Sequence, residues 1–118
     1  MEYLLLIYAD AARFEAMSPG QKADALAAYG AYSAALQKAG VMRGSNRLRP
    51  AEAATTVRLN AGKTEVLNGP YAETREQLGG YFLIDVADLD AALSWAARCP
   101  GASHGLVEVR PIWPMGAS

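Results

Sequence analysis

Sulfur and imidazole are scarce in this chain, which has one cysteine, Cys99, and one histidine, His104, in 118 residues. A single cysteine excludes an intrachain disulfide and makes a reducing, cytoplasmic setting the natural expectation. With so few nitrogen and sulfur ligands, and none at metal-site spacing, no metal or other cofactor is expected. The chain also lacks a glycine-rich phosphate loop, a Ser-His-Asp order and a CxxC pair. It has no basic stripe, and at a net charge of -1 nothing points to nucleic acid. No apolar run approaches the roughly 18 residues needed to span a membrane. The apolar start MEYLLLIYAD has an acid at position 2 and no cleavage site, so it reads as a first strand rather than a signal peptide. What remains is an ordinary globular composition, 52% hydrophobic and 19% charged, enough for one domain with a modest core. That domain is assigned to residues 1–113, with 114–118 as a loose tail.

Tyr3 to Tyr8 is a continuous apolar run of strand length. Asp10 to Met17 reads as a loop. Ser18-Pro19-Gly20-Gln21 is a helix start: Ser18 suits the N-cap, Pro19 the first helical position, and Gln21 completes a capping box. The helix is expected to end near Ala39, terminated by a left-handed Gly40. Its inner face should carry Leu26, Tyr29, Ser33 and Leu36, widened by Ala25, Tyr32 and Ala39. Gly44 to Leu48 is a weak strand. Thr55–Asn60 and Thr64–Leu67 form a hairpin around Ala61-Gly62. Asn68-Gly69-Pro70 closes it, and Ala72 to Leu78 predicts a turn or two of helix at most. Gly79-Gly80 opens the strand YFLIDV. Asp88 caps a second helix with Leu89, Ala92, Leu93 and Ala96 facing inward, ended by Pro100-Gly101. A loop through His104 leads to a last strand, Val107 to Ile112.

The order predicts an α+β fold of the ferredoxin-like split βαβ type with an antiparallel sheet. Two helices cover only one face of such a sheet. Yet Tyr3–Tyr8 and Tyr81–Val86 are apolar on both faces, so a second copy of the sheet is the simplest cover for the other. A homodimer is therefore expected.

The stretch NGPYAETREQLGGYFLIDV, Asn68 to Val86, closely resembles the signature of the YCII-related family, in particular its DGPF-domain branch. Gly69, Pro70, Glu73, Glu76, Leu78, Gly79 and Gly80 stand where that motif puts them. TVRL at Thr56 to Leu59, DLDAALSWAARCP and VEVRPI resemble the family's hairpin strand, helix and closing strand. The resemblance implies a dimeric α/β-barrel of ferredoxin-like subunits. The motif's Asp is Asn68 here, its Phe is Tyr71 and its Lys is Arg75. A His–Asp pair proposed as catalytic in the wider group has no counterpart, because the first half of this chain has no histidine. Some members of the family are thought to accompany sigma factors, which implies an accessory or protein-interaction role as a further alternative.

The candidate site residues follow from these segments. Asn68 and Tyr71 are expected to line a pocket at the turn, with Gly and Pro simply setting the turn as the plainer reading. Glu73, beside Glu76, is the candidate base, against an exposed or Arg-paired carboxylate. Arg58 and Arg110 would hold an anionic ligand, against salt bridges to Glu65, Glu73 or Glu108. His104 is a second acid/base candidate, against a plain loop residue. Cys99 offers thiolate chemistry, against a small buried apolar residue. Tyr3, Tyr8, Tyr29, Tyr32 and Tyr81 are candidates to supply hydroxyls to a cavity, against core residues with their hydroxyls satisfied at the edge. The function expected is small-molecule binding in a cavity near Asn68–Glu73, or acid/base catalysis in that cavity.

Overall fold

The structure is a computed structural model and describes residues 1–115. Residues 116–118, most of the expected loose tail, lie outside the described residues.

The chain opens with strand β1 (Glu2–Ala9). Its buried residues alternate, Tyr3, Leu5 and Ile7 facing one side. Where a loop was expected, a short helix α1 (Ala11–Glu15) forms, because the Asp10 carboxylate accepts from the Ala12 N–H and caps it. Helix α2 (Pro19–Lys38) starts at the full Ser18–Gln21 capping box. It ends in a Schellman motif: Gly40 sits at φ +74°, its N–H donates to Gln37 and that of Val41 to Leu36. Strands β2 (Met42–Arg47), β3 (Thr55–Asn60) and β4 (Lys63–Asn68) follow, with a 3-10 turn at Ala51–Ala53. The β3–β4 loop places Ala61 and Gly62 at φ 51° and 79°, the primed turn that matches strand twist. Strand β5 (Gln77–Asp85) begins two residues ahead of the glycine pair. Helix α3 (Leu89–Arg98), capped by Asp88, is followed by a short helix α4 (Gly101–His104) in place of the expected loop, and by strand β6 (Leu106–Pro111).

The main sheet is antiparallel in the order β2-β5-β1-β6, and β3–β4 form a separate ribbon. Each β1–α2–β2 and β5–α3–β6 unit straddles a strand of the other, so the fold is ferredoxin-like with a hairpin inserted before β5. No helix forms between Tyr71 and Glu76. There Thr74 donates to the Glu76 carbonyl and the Gln77 amide to the carbonyls of Ala72 and Thr74, side-chain bonds that compete with a helical turn.

The core lies between the sheet and the helices. Tyr3, Leu5, Phe82, Ile84 and Val86 meet Tyr32 and Leu36 of α2 and Ala92 and Ala96 of α3. Tyr32 stands edge-on to Phe82 at 5.1 Å and donates to the Trp95 carbonyl at 2.7 Å, so its hydroxyl is satisfied while its ring packs. Leu26, Leu89 and Leu93, expected to face inward, are 49%, 47% and 47% exposed. A two-layer fold buries one narrow line per helix, and the smaller Ala92 and Ala96 occupy that line on α3.

The opposite sheet face is different. The register places Leu4 opposite Leu83 and Leu6 opposite Tyr81, with Arg110 and Glu108 beside Leu4 and Leu6 on β6. These side chains alternate with the core residues, and no helix covers them. The molecule is a slab of 47 × 47 × 18 Å. Its radius of gyration, 16.3 Å, exceeds the ~13.5 Å typical of a compact chain this long.

Candidate functional site

A half-open pocket lies on the helix side, at the end of the sheet where β1 and β2 finish and β5 begins. It is a cavity of about 430 Å³, within the ~300–1,000 Å³ range of small-molecule sites. Its origin is the small residues on both walls: Ala25, Gly30 and Ser33 of α2 face Ser45, Gly79 and Gly80 of the strands. A Cβ at Gly30 would meet nothing within 4 Å, so the missing side chain there is open space. A Cβ at Gly80 would come within 2.9 Å of the Asn46 carbonyl, which explains why the second position of the glycine pair carries no side chain. Ile7, Phe14, Met17, Leu48 and Phe82 add apolar wall.

The polar groups on this lining come from distant parts of the chain. Tyr29 reaches it from α2, Arg13 from α1, Arg47 and Arg49 from the end of β2, and His104 from α4. Arg47 stacks 5.6 Å from the Phe14 ring centre, and Lys22 lies 5.4 Å from the same ring. Arg13 Nη1 donates to the His104 carbonyl at 3.2 Å, tying α1 to α4. Burial pushes the Tyr29 hydroxyl up to about 12, and the neighbouring Cys99 adds to the shift. Burial likewise raises the Tyr32 hydroxyl and the Cys99 thiol. Cys99 is the small buried apolar residue of the plainer reading, 2% exposed, and burial disfavours its thiolate.

A tyrosine whose folded pKa is raised stabilises the fold fully below its ordinary value of 10.0, and the contribution is lost as pH rises through the folded value. Stability is therefore expected to fall between pH 10 and about 12, where the phenol of the unfolded chain ionises and the folded Tyr29 still holds its proton. Urea titrations across this range, with phenolate absorbance followed in parallel, check it. Complete phenolate formation by pH 10 in the folded protein would contradict the burial described.

Of the acid/base and anion-binding candidates named from the sequence, His104 lines this cavity, as do Tyr29 and Tyr81 of the tyrosines and Leu78, Gly79 and Gly80 of the family motif. Arg58 lies on the exposed ribbon opposite Glu65, whose carboxylate accepts from the Asn60 amide. Arg110 pairs with Glu108 on the open sheet face. Asn68 ends β4. The next residue, Gly69, takes a left-handed conformation at φ +112°, with its N–H donating to Ala54 and its carbonyl accepting from Thr56. Tyr71 is 81% exposed, and Glu73 is exposed as well. A second, open depression on the other sheet face is lined by Tyr8, Thr74, Arg75, Glu76, Leu106 and Glu108. Arg75 reaches Asp10 at 3.3 Å, Glu76 lies at that depression's edge, and Asn68, Tyr71 and Glu73 line neither space. Among the described residues no cluster of His, Cys, Asp or Glu could hold a metal, and no helix is long and apolar enough to cross a membrane.

These features define an α+β, ferredoxin-like domain with an inserted hairpin and a cavity between its sheet and its first long helix. The chain belongs to the YCII-related domain family, which it matches over residues 1–116. It is 40% identical over 114 residues to the uncharacterized protein R00369 of Rhizobium meliloti (strain 1021), covering 95% of this chain and 92% of that one. Among solved structures it resembles 5-chloro-2-hydroxyhydroquinone dehydrochlorinase (TftG) of Burkholderia phenoliruptrix AC1100, determined in complex with 2,5-dihydroxybenzoquinone. That likeness has a TM-score of 0.56 and 17% identity over 98% of this chain and 96% of the other, and it speaks to the fold alone.

Proposed function

We propose that this protein is a homodimeric small-molecule binder whose ligand occupies the cavity between α2 and the sheet. The observation that carries the reading is the glycine-walled space of about 430 Å³ with Tyr29, Arg47 and His104 on an otherwise largely apolar lining. The ligand-facing set is thus moved from Asn68, Tyr71 and Glu73 to residues of α1, α2, β2 and α4. The dimer is supported by the uncovered leucines of the open sheet face and by the thin slab shape. Acid/base catalysis in the same cavity is the second reading, favoured by His104 on its rim. A dehydrochlorinase with a related fold is compatible with that reading, though by analogy of fold only.

Gly30→Trp tests the cavity. Its Cβ enters open space, so the fold should survive with an unchanged melting temperature or a slightly higher one, while the indole fills the site. Screened by ligand-observed NMR against a diverse set of small aromatic compounds, the wild type is expected to bind members that the variant loses at least tenfold. Equal binding of every hit to both proteins would remove the cavity from consideration.

A further inference from the structure

We propose that the cavity selects an organic oxyanion, a carboxylate or phenolate carried on an apolar body about the size of one ring; this rests on the reading of the cavity as a ligand site. The charged groups on its lining are Arg13, Arg47, Arg49, Asp10 and Glu15. Both carboxylates are already engaged by cations from outside the lining. Asp10 holds Arg75 at 3.3 Å while also capping α1, and Glu15 lies 3.7 Å from Lys22. None of the three arginines makes an ion pair among the described residues. Two of them are instead held by contacts that leave their charge uncompensated, Arg47 against the Phe14 ring and Arg13 on the His104 carbonyl. A guanidinium fixed in this way has lost much of its rotamer freedom before any ligand arrives, so less affinity is spent on ordering it. Its fork suits planar oxyanions.

The other half of the specificity is apolar. On the strand side Ile7 and Phe82 are apolar and the polar side chains, Ser45, Asn46 and Gln77, are neutral, so the anion sits at the arginine rim and the body points toward the sheet. Tyr29 stays protonated at neutral pH and remains a donor, which adds no negative charge to repel the ligand.

The test is calorimetric titration of the full chain with matched aryl carboxylates and their neutral carboxamides, benzoate and benzamide being the first pair. The carboxylates are expected to bind at least about tenfold more tightly, with the preference shrinking as salt is raised. Arg47→Met, which keeps the aliphatic stem on Phe14, should lose the preference, the carboxylates falling to the affinity of the matched carboxamides. Carboxamides that bind as well as carboxylates, and equally to Arg47→Met, would overturn the charge selection and leave the cavity itself standing. Inorganic phosphate binding as tightly as benzoate would overturn the apolar half. Binding of neither series to the wild type, alongside hits lost in Gly30→Trp, would overturn the oxyanion class while the cavity reading held.

Discussion

Gly105→Ala is expected to destabilise the protein by roughly 3 kcal/mol or more, at or beyond the upper end of ordinary overpacking. A Cβ at this position would lie 2.1 Å from the Tyr8 carbonyl oxygen and 3.2 Å from the Ala9 Cα. Both obstacles are backbone atoms of β1, so no side-chain rotation relieves them. The strand would have to move away from the α4–β6 junction, and β1 is the central strand that pairs with both β5 and β6. The strain therefore falls on the core ladder and on the cavity together, since Ile7 and Ala9 line it from β1 and His104 lines it from α4. Gly30→Ala is the internal control. Its Cβ meets nothing, and replacing a mid-helix glycine should stabilise by about 0.5–1 kcal/mol. Chemical denaturation of both variants checks the pair. Equal stability of Gly105→Ala and the wild type would mean that the close approach is not maintained in solution.

The control residue also shows where sequence reasoning stops. Much that local chemistry sets was legible, the Ser18–Gln21 capping box, the Gly40 terminator, the primed turn at Ala61-Gly62 and the Asp88 cap, while the short helices α1 and α4 were read as loops. The two-faced pattern of β1 and β5 was legible as well, because strand periodicity needs only neighbouring residues. The cavity was not. Its lining comes from α1, α2, β1, β2, β5 and α4, which are far apart in sequence, and it exists because side chains are missing. The available signal was Gly30 itself. A glycine in the middle of a twenty-residue helix gives up helix propensity, and such a position invites the question of what the absent side chain makes room for. The arginines gave a second signal, with Arg47 and Arg49 flanking the exit of β2. The Asn68–Glu73 turn attracted attention because it is the family's most recognisable stretch. In the structure its Gly69 is bonded to Ala54 and Thr56, so part of that recognisability reflects how the ribbon is tied to its base.

In the proposed sheet-to-sheet dimer, Leu6→Asp is expected to separate the subunits while leaving each folded, and Leu5→Asp, one residue away, to unfold the subunit. The contrast follows from the pleat. Leu5 is 0% exposed beneath the helices, where an unpaired carboxylate has no partner and costs several kcal/mol. Leu6 lies on the other face, opposite Tyr81 and beside Glu108. In an isolated subunit that face is open to water, and a carboxylate there remains hydrated. Across a two-fold interface between the sheets, each copy would bury an acid among the partner's leucines, and symmetry supplies it twice. Two uncompensated charges of this kind, at about 4 kcal/mol each, cost about 8 kcal/mol per dimer, which weakens dimerisation roughly a millionfold. Sedimentation equilibrium at micromolar concentration reads the mass, and circular dichroism reads the fold. A wild type that sediments as a monomer, or a Leu6→Asp variant that stays dimeric, would mean that the open sheet face is not the interface. Because the cavity lies on the helix side of each subunit, monomeric Leu6→Asp should still bind ligand with wild-type affinity.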